Sequence, residues 1–126
     1  MNEESTGDLS KILEINVTSN LGTQTVAEIR EHQIKPNVLH NEVFLTGVAI
    51  KTRLMEIVCK NFLKSGNQAD STEITVSVKM NNEIVTEKTQ EVKKNSDLGQ
   101  STGSLTREVM KELPFYICQS KEFKAQ

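Results

Sequence analysis

The chain has 126 residues, 36% apolar and 25% charged, with a formal net charge of −2. That length suits a single domain with a real core, and five aromatics without Trp leave Leu, Ile and Val to build it. The near-neutral balance excludes a strongly basic nucleic-acid footprint, and no apolar run approaches the ~20 residues of a membrane-spanning helix.

Residues 1–10 are acidic, small and polar and read as a disordered N-terminus. They lack the cationic and apolar regions of a secretory signal, which predicts an intracellular protein, cytoplasmic or nuclear. Cys59 and Cys118 are too few for a disulfide framework and read as buried thiols. Charge is uneven: residues 1–29 sum to −4, residues 30–64 to +3 and residues 65–126 to −1. A local basic face in the middle third is compatible with that pattern.

In chain order, Leu13, Ile15 and Val17 alternate with Glu14 and Asn16, predicting a strand. Asn20-Leu21-Gly22 turns the chain. Val26, Ala27 and Ile29 are spaced as on a helix, predicted over residues 23–33 and ended by Pro36-Asn37. Glu42 to Thr46 is a short apolar run before Gly47, the form of a buried strand. From Val48 to Leu63, Ile50, Leu54, Ile57, Val58 and Phe62 make one stripe, the strongest helix in the chain. Gly66 is its C-terminal stop. Glu73 to Met80 alternates cleanly and predicts the best strand. Asn81-Asn82 is either a tight turn or a bulge in a strand continuing to Lys94. Residues 95–104 read as a flexible loop, Arg107 to Leu113 as helix-prone, and Phe115 to Cys118 as a last strand.

The expected order is β-α-β-α-β-β. It predicts an α/β two-layer sandwich: a four-stranded sheet, two helices on one face, and a long hairpin arm across residues 81–113. One domain spans residues 11–123.

The stretch Asn41-Glu42-Val43-Phe44-Leu45-Thr46-Gly47-Val48-Ala49-Ile50-Lys51 resembles the Alba family of small nucleic-acid-binding proteins. Ser71-Thr72-Glu73-Ile74 and the segment from Phe115 to Phe123 are similar to that family's third strand and closing strand. The resemblance implies that Gly47 turns a strand sharply into a helix and that the helix and its surroundings form a homodimer or heterodimer. It also implies contacts to RNA or DNA backbone from cations near that Gly and from the arm. The chain departs from the family at Ser19 to Gly22, where many members carry Lys, and at Thr46 and Val48, where many carry Arg. Those departures favour an alternative: a structural interaction subunit, as in the related protein subunits of ribonuclease P and MRP.

The candidate nucleic-acid contacts are Lys51 and Arg53 at the helix start and Lys93, Lys94 and Arg107 flanking the loop. Of adjacent Phe115 and Tyr116, one is expected in the core while the other faces away, where it is able to stack a base. His32 and His40 belong to no metal-ligand pattern, and Asn16-Val17-Thr18 is an accidental sequon inside a strand. Residues 99–104 lack the Lys of a phosphate-binding loop, and no carboxylate pair sits in an apolar run. The expectation is a non-enzymatic protein without cofactor or metal.

Overall fold

The computed structural model describes residues 11–30, 36–63, 70–114 and 116. The alternating run Lys11–Ser19 is strand β1. A two-residue loop, Asn20-Leu21, leads into strand β2, Gly22–Arg30, which pairs with β1 antiparallel. Gly22 holds φ +105°, a conformation a side chain would strain. Helix α1 covers Pro36–Val58 and widens into a π-helical turn, Cys59–Leu63. Strand β3, Ser71–Met80, is joined by Asn81-Asn82 to strand β4, Glu83–Lys93. Helix α2, Leu98–Met110, follows.

The four strands form one antiparallel sheet in the order β2-β1-β3-β4. Leu13, Ile15 and Val17 of β1 and Ile74, Val76 and Val78 of β3 project from one sheet face. They meet Ile50, Leu54, Ile57 and Val58 of α1 and Leu105 and Val109 of α2 in a single buried cluster. The expected α/β architecture, a four-stranded sheet carrying two helices, is present in this coarse form. The opposite face carries hydroxyls and carboxylates, including Thr18, Thr23, Thr75, Thr89, Glu14, Glu73, Glu87 and Glu91.

The order along the chain differs from expectation: it is β-β-α-β-β-α. Residues 23–30 of the helix expected over 23–33 lie in β2, whose register with β1 slips between Ile15 and Asn16. The slip inserts Val26 as an extra residue, so Val26, Ala27 and Ile29 lose strand alternation and imitate helical spacing. Glu42 to Thr46, expected as a strand, lies inside α1. A short apolar run has no period of its own, and here Phe44 and Leu45 face outward. Pro36 opens this helix rather than ending a previous one, since a first-turn position needs no N–H. The stripe predicted from Val48 to Leu63 is correct but covers only the C-terminal part of the helical stretch.

Asn81 and Asn82 take φ 54° and 73°, the left-handed pair of a two-residue hairpin turn. The turn is therefore realised, and a bulge also occurs, displaced to Val85 between the Val78–Thr86 and Lys79–Ile84 pairs. The flexible loop expected over residues 95–104 is mostly α2. Asp97 caps it by accepting from the Gln100 amide at 3.0 Å. Its hydroxyl residues misled because they bond inside the helix: Thr102 donates to the Leu98 carbonyl at 2.9 Å and Thr106 to the Thr102 carbonyl at 2.8 Å. No arm extends there, and of the helix expected over Arg107 to Leu113 the part from Arg107 to Met110 is the end of this longer one. Of the last strand, Tyr116 is helical, while Phe115, Ile117 and Cys118 lie outside the described residues, as do residues 1–10 and Gly66.

Candidate interaction groove between the two helices

Helices α1 and α2 run antiparallel. The far end of Met110 would touch a Cβ on Gly47 at 3.5 Å, and the Thr102 hydroxyl oxygen lies 3.2 Å from the Met55 sulfur. Two small residues, Gly47 and Gly103, keep the outer seam open. A groove of about 480 Å³ results, with Phe44, Val48 and Met110 among its apolar walls.

Apolar side chains are unusually available here. Phe44 is 65% exposed, Leu45 55% and Val48 47%. Positions 44, 45 and 48 share one helix face, so these three make a patch rather than scattered exposures. Asn41 and Thr52 continue that face and are also exposed.

Two of the five candidate cations converge on this groove. A Cβ placed on Gly103 would lie 3.7 Å from Lys51 Nζ and 3.6 Å from Arg107 Nη1. The side chains of α1 and α2 thus cross the same glycine from opposite sides, though 56 positions of sequence separate them. Neither has an ion-pair partner among the described residues. Like charges held together without counterion favour an incoming anion.

The other three candidates go elsewhere. Arg53 turns inward, with its side chain 10% exposed, and donates from Nη1 to Glu56 at 2.8 Å. Its guanidinium is therefore not presented on the open helix face beside Lys51, since residue 53 lies on the inner side of α1 beside Leu54 and Ile57. Lys93 closes β4 opposite Ser71, and the Lys94 amide donates to the Asp70 carbonyl at 2.8 Å. Both are exposed near the start of α2; they do not line the groove.

Around these positions the charge is locally paired. Glu56 also meets Lys60 at 3.4 Å, and its carboxyl is held below the usual range by the Arg53 hydrogen bond first and Lys60 second. At the far end of α2, Glu112 accepts from Lys88 at 3.0 Å, Thr86 at 2.9 Å and the Tyr116 hydroxyl at 3.2 Å. Lys88 and then Thr86 lower the Glu112 pKa, and Glu112 in turn raises that of Lys88.

The Tyr116 hydroxyl lies equally 3.2 Å from the Val85 carbonyl, so its one proton is shared between the two oxygens, and the residue is half-buried against the core. Cys59, expected among the buried residues, is exposed at the start of the π-helical turn. His32 and the side chain of His40 lie outside the described residues. Among the described residues, no three His, Cys, Asp or Glu side chains gather as metal ligands, and no helix is long and apolar enough to cross a membrane.

Comparison with known protein families, curated proteins and solved structures finds no match to this chain. The site must therefore be read from its own geometry. The stretch from Asn41 to Lys51 that carries the Alba resemblance is a continuous part of α1, and Gly47 sits mid-helix with a methionine beside it. Sequence reading grouped Lys51 with Arg53 and Arg107 with Lys93 and Lys94, never Lys51 with Arg107. It missed the exposed patch because Phe44 and Leu45 were assigned to a buried strand. A helical wheel extended to residue 41 would have placed Phe44, Leu45 and Val48 opposite Ile50, Leu54 and Ile57.

Proposed function

We propose that this chain is a non-enzymatic interaction subunit whose working surface is the groove between α1 and α2. Its partner is a protein segment with an apolar ridge flanked by carboxylates. The carrying observation is the pair Lys51 and Arg107, without acidic partners among the described residues, beside exposed Phe44 and Val48.

Apolar anchors supply affinity and the charges supply selection. Fully covering a Phe or Val side chain contributes roughly 1.5–3 kcal/mol, so two or three anchors suffice for a specific contact after ordering costs. A symmetric pairing of two copies centred on Val48 would bring two Lys51–Arg107 pairs towards one another, which favours an acidic partner over a second copy. Nucleic acid is disfavoured by the largely apolar walls of the groove and by the carboxylates on the open sheet face. There Glu73 stands opposite Glu91 and Glu14 opposite Glu28.

Fluorescence anisotropy tests this with the purified chain at two salt concentrations. The ligands are a labelled amphipathic acidic peptide, single-stranded RNA, duplex RNA and duplex DNA. The peptide is expected to bind, more weakly at high salt. Both Val48→Asp and Lys51→Glu should reduce its affinity at least ~10-fold, a change of about 1.4 kcal/mol. RNA or DNA binding that needs Lys51 and Arg107 but survives Val48→Asp would replace this reading with the phosphate-binding one implied by the Alba resemblance. A dimer in sedimentation that Val48→Asp dissociates would assign the groove to a second copy.

A further inference from the structure

On the other side of α1, where the helix meets β2, a second crevice opens. Its volume is about 270 Å³, and Gln24, Val26, Ala49, Thr52, Arg53 and Glu56 contribute to its walls. Arg53 is the unusual member. Its side chain is nine-tenths buried, its Nη1 is engaged by Glu56, and its Nε is fully buried with no hydrogen-bond partner.

That arrangement is chemically specific. A guanidinium cannot shed its proton, so burial cannot be relieved by neutralisation. Nη1 faces Glu56; the remaining fork, Nε with Nη2, projects two roughly parallel N–H groups. Such a fork matches two oxygens of a carboxylate or phosphate. A buried N–H without an acceptor is destabilising until one arrives. Glu56 is shared with Lys60 at 3.4 Å, so its carboxylate is not given to Arg53 alone. Around the fork, the Gln24 amide and Thr52 hydroxyl, both on exposed residues, line the same crevice and are able to donate to further oxygens.

We infer that the crevice between β2 and α1 binds a small oxyanion, a carboxylate or a phosphate, through the fork of Arg53 that Glu56 leaves unengaged, its covered Nε coming within reach by a small shift of the side chain towards the crevice. The crevice shares Thr52 with the rim of the groove but not the groove's cations, so it does not depend on the groove's assignment: Lys51 and Arg107 line the groove and Arg53 does not.

The test is a titration of the full chain with sodium phosphate and with sodium acetate. It is followed by the thermal midpoint and by amide chemical shifts, with sodium chloride at matched ionic strength as the reference. Two peptides of one sequence, one with a free C-terminal carboxylate and one amidated, separate a free ion from a chain terminus as the source. Wild type should show a saturable rise in midpoint and shifts centred on residues 24–26 and 49–56. Arg53→Lys keeps the charge but loses the fork, and is expected to weaken binding at least tenfold, whereas Lys51→Glu leaves it unchanged. If Arg53→Lys does not fold, Gln24→Glu, at an exposed position, serves instead by placing a like charge in the crevice wall, with the same loss expected. No saturable response beyond chloride overturns the proposal. So does a response that survives Arg53→Lys in folded protein, or one that survives Gln24→Glu.

Discussion

Arg53 and Lys51 stand two positions apart and look equivalent on paper, yet the fold gives them opposite fates. Lys51 remains at the surface beside Gly103, while Arg53 points inward and is paired with Glu56. The pairing has a pH signature. Glu56 is held below its unfolded value, so its contribution is present above that value and is lost as pH falls through the folded pKa. Stability should therefore decline as the solution is acidified below the ordinary glutamate range. In Glu56→Gln that part of the acid dependence should be absent, a comparison made by urea unfolding at a series of pH values. Arg53→Ala should lower stability by about 1–3 kcal/mol, mainly because the aliphatic stem packs beside the core. A lowered urea midpoint with unchanged slope would register it.

At the scale of elements, Gly47 and Asp97 decide between two readings of the same sequence. If Gly47 turned a strand into a helix, a side chain there would be harmful. In the middle of α1 it is merely a weak helix former, and an added Cβ would rest 3.5 Å from the flexible end of Met110, an ordinary contact. Gly47→Ala should therefore raise stability by about 0.5–1 kcal/mol. A loss of stability would reject the continuous helix. Asp97→Ala should cost about 1 kcal/mol, since it removes the acceptor of the Gln100 amide at the start of α2. Thermal or urea unfolding of each variant reads both effects. These two positions also mark where the sequence was legible and where it was not. The strands β1 and β3 were clear because one face of each is apolar and period two is unbroken. Strand β2 was hidden by its bulge, and α2 by Ser, Thr and Gly residues that favour loops until Leu98, Leu105 and Val109 have something to pack against.

Over the whole molecule, one core joins both helices to the central strands, and Leu54 lies fully buried within it. Leu54→Ala should cost about 2–5 kcal/mol. Fluorescence of Tyr116, far-ultraviolet dichroism and a near-core probe should report one coincident transition, because no element has a core of its own. The charge map is also a property of the whole: Glu73 faces Glu91 and Glu14 stands between Glu28 and Lys79 on the open sheet face, while Lys51 and Arg107, without ion-pair partners among the described residues, meet on the helical side.

The sequence by itself determined the α/β character, the apolar face of β1 and β3, the buried stripe of α1 and the identity of Lys51 and Arg107 as candidate anion contacts. These depend on local periodicity and residue chemistry, which a neighbour cannot change. Only the tertiary structure decided that residues 22–30 pair as a strand, that Pro36 opens a long helix, that Arg53 turns inward, and that Lys51 meets Arg107 across Gly103. Each depends on which surface arrives opposite. A bulge is defined by its partner strand, a weak helix forms when its apolar side is covered, and two distant cations become one site only when their helices pack antiparallel.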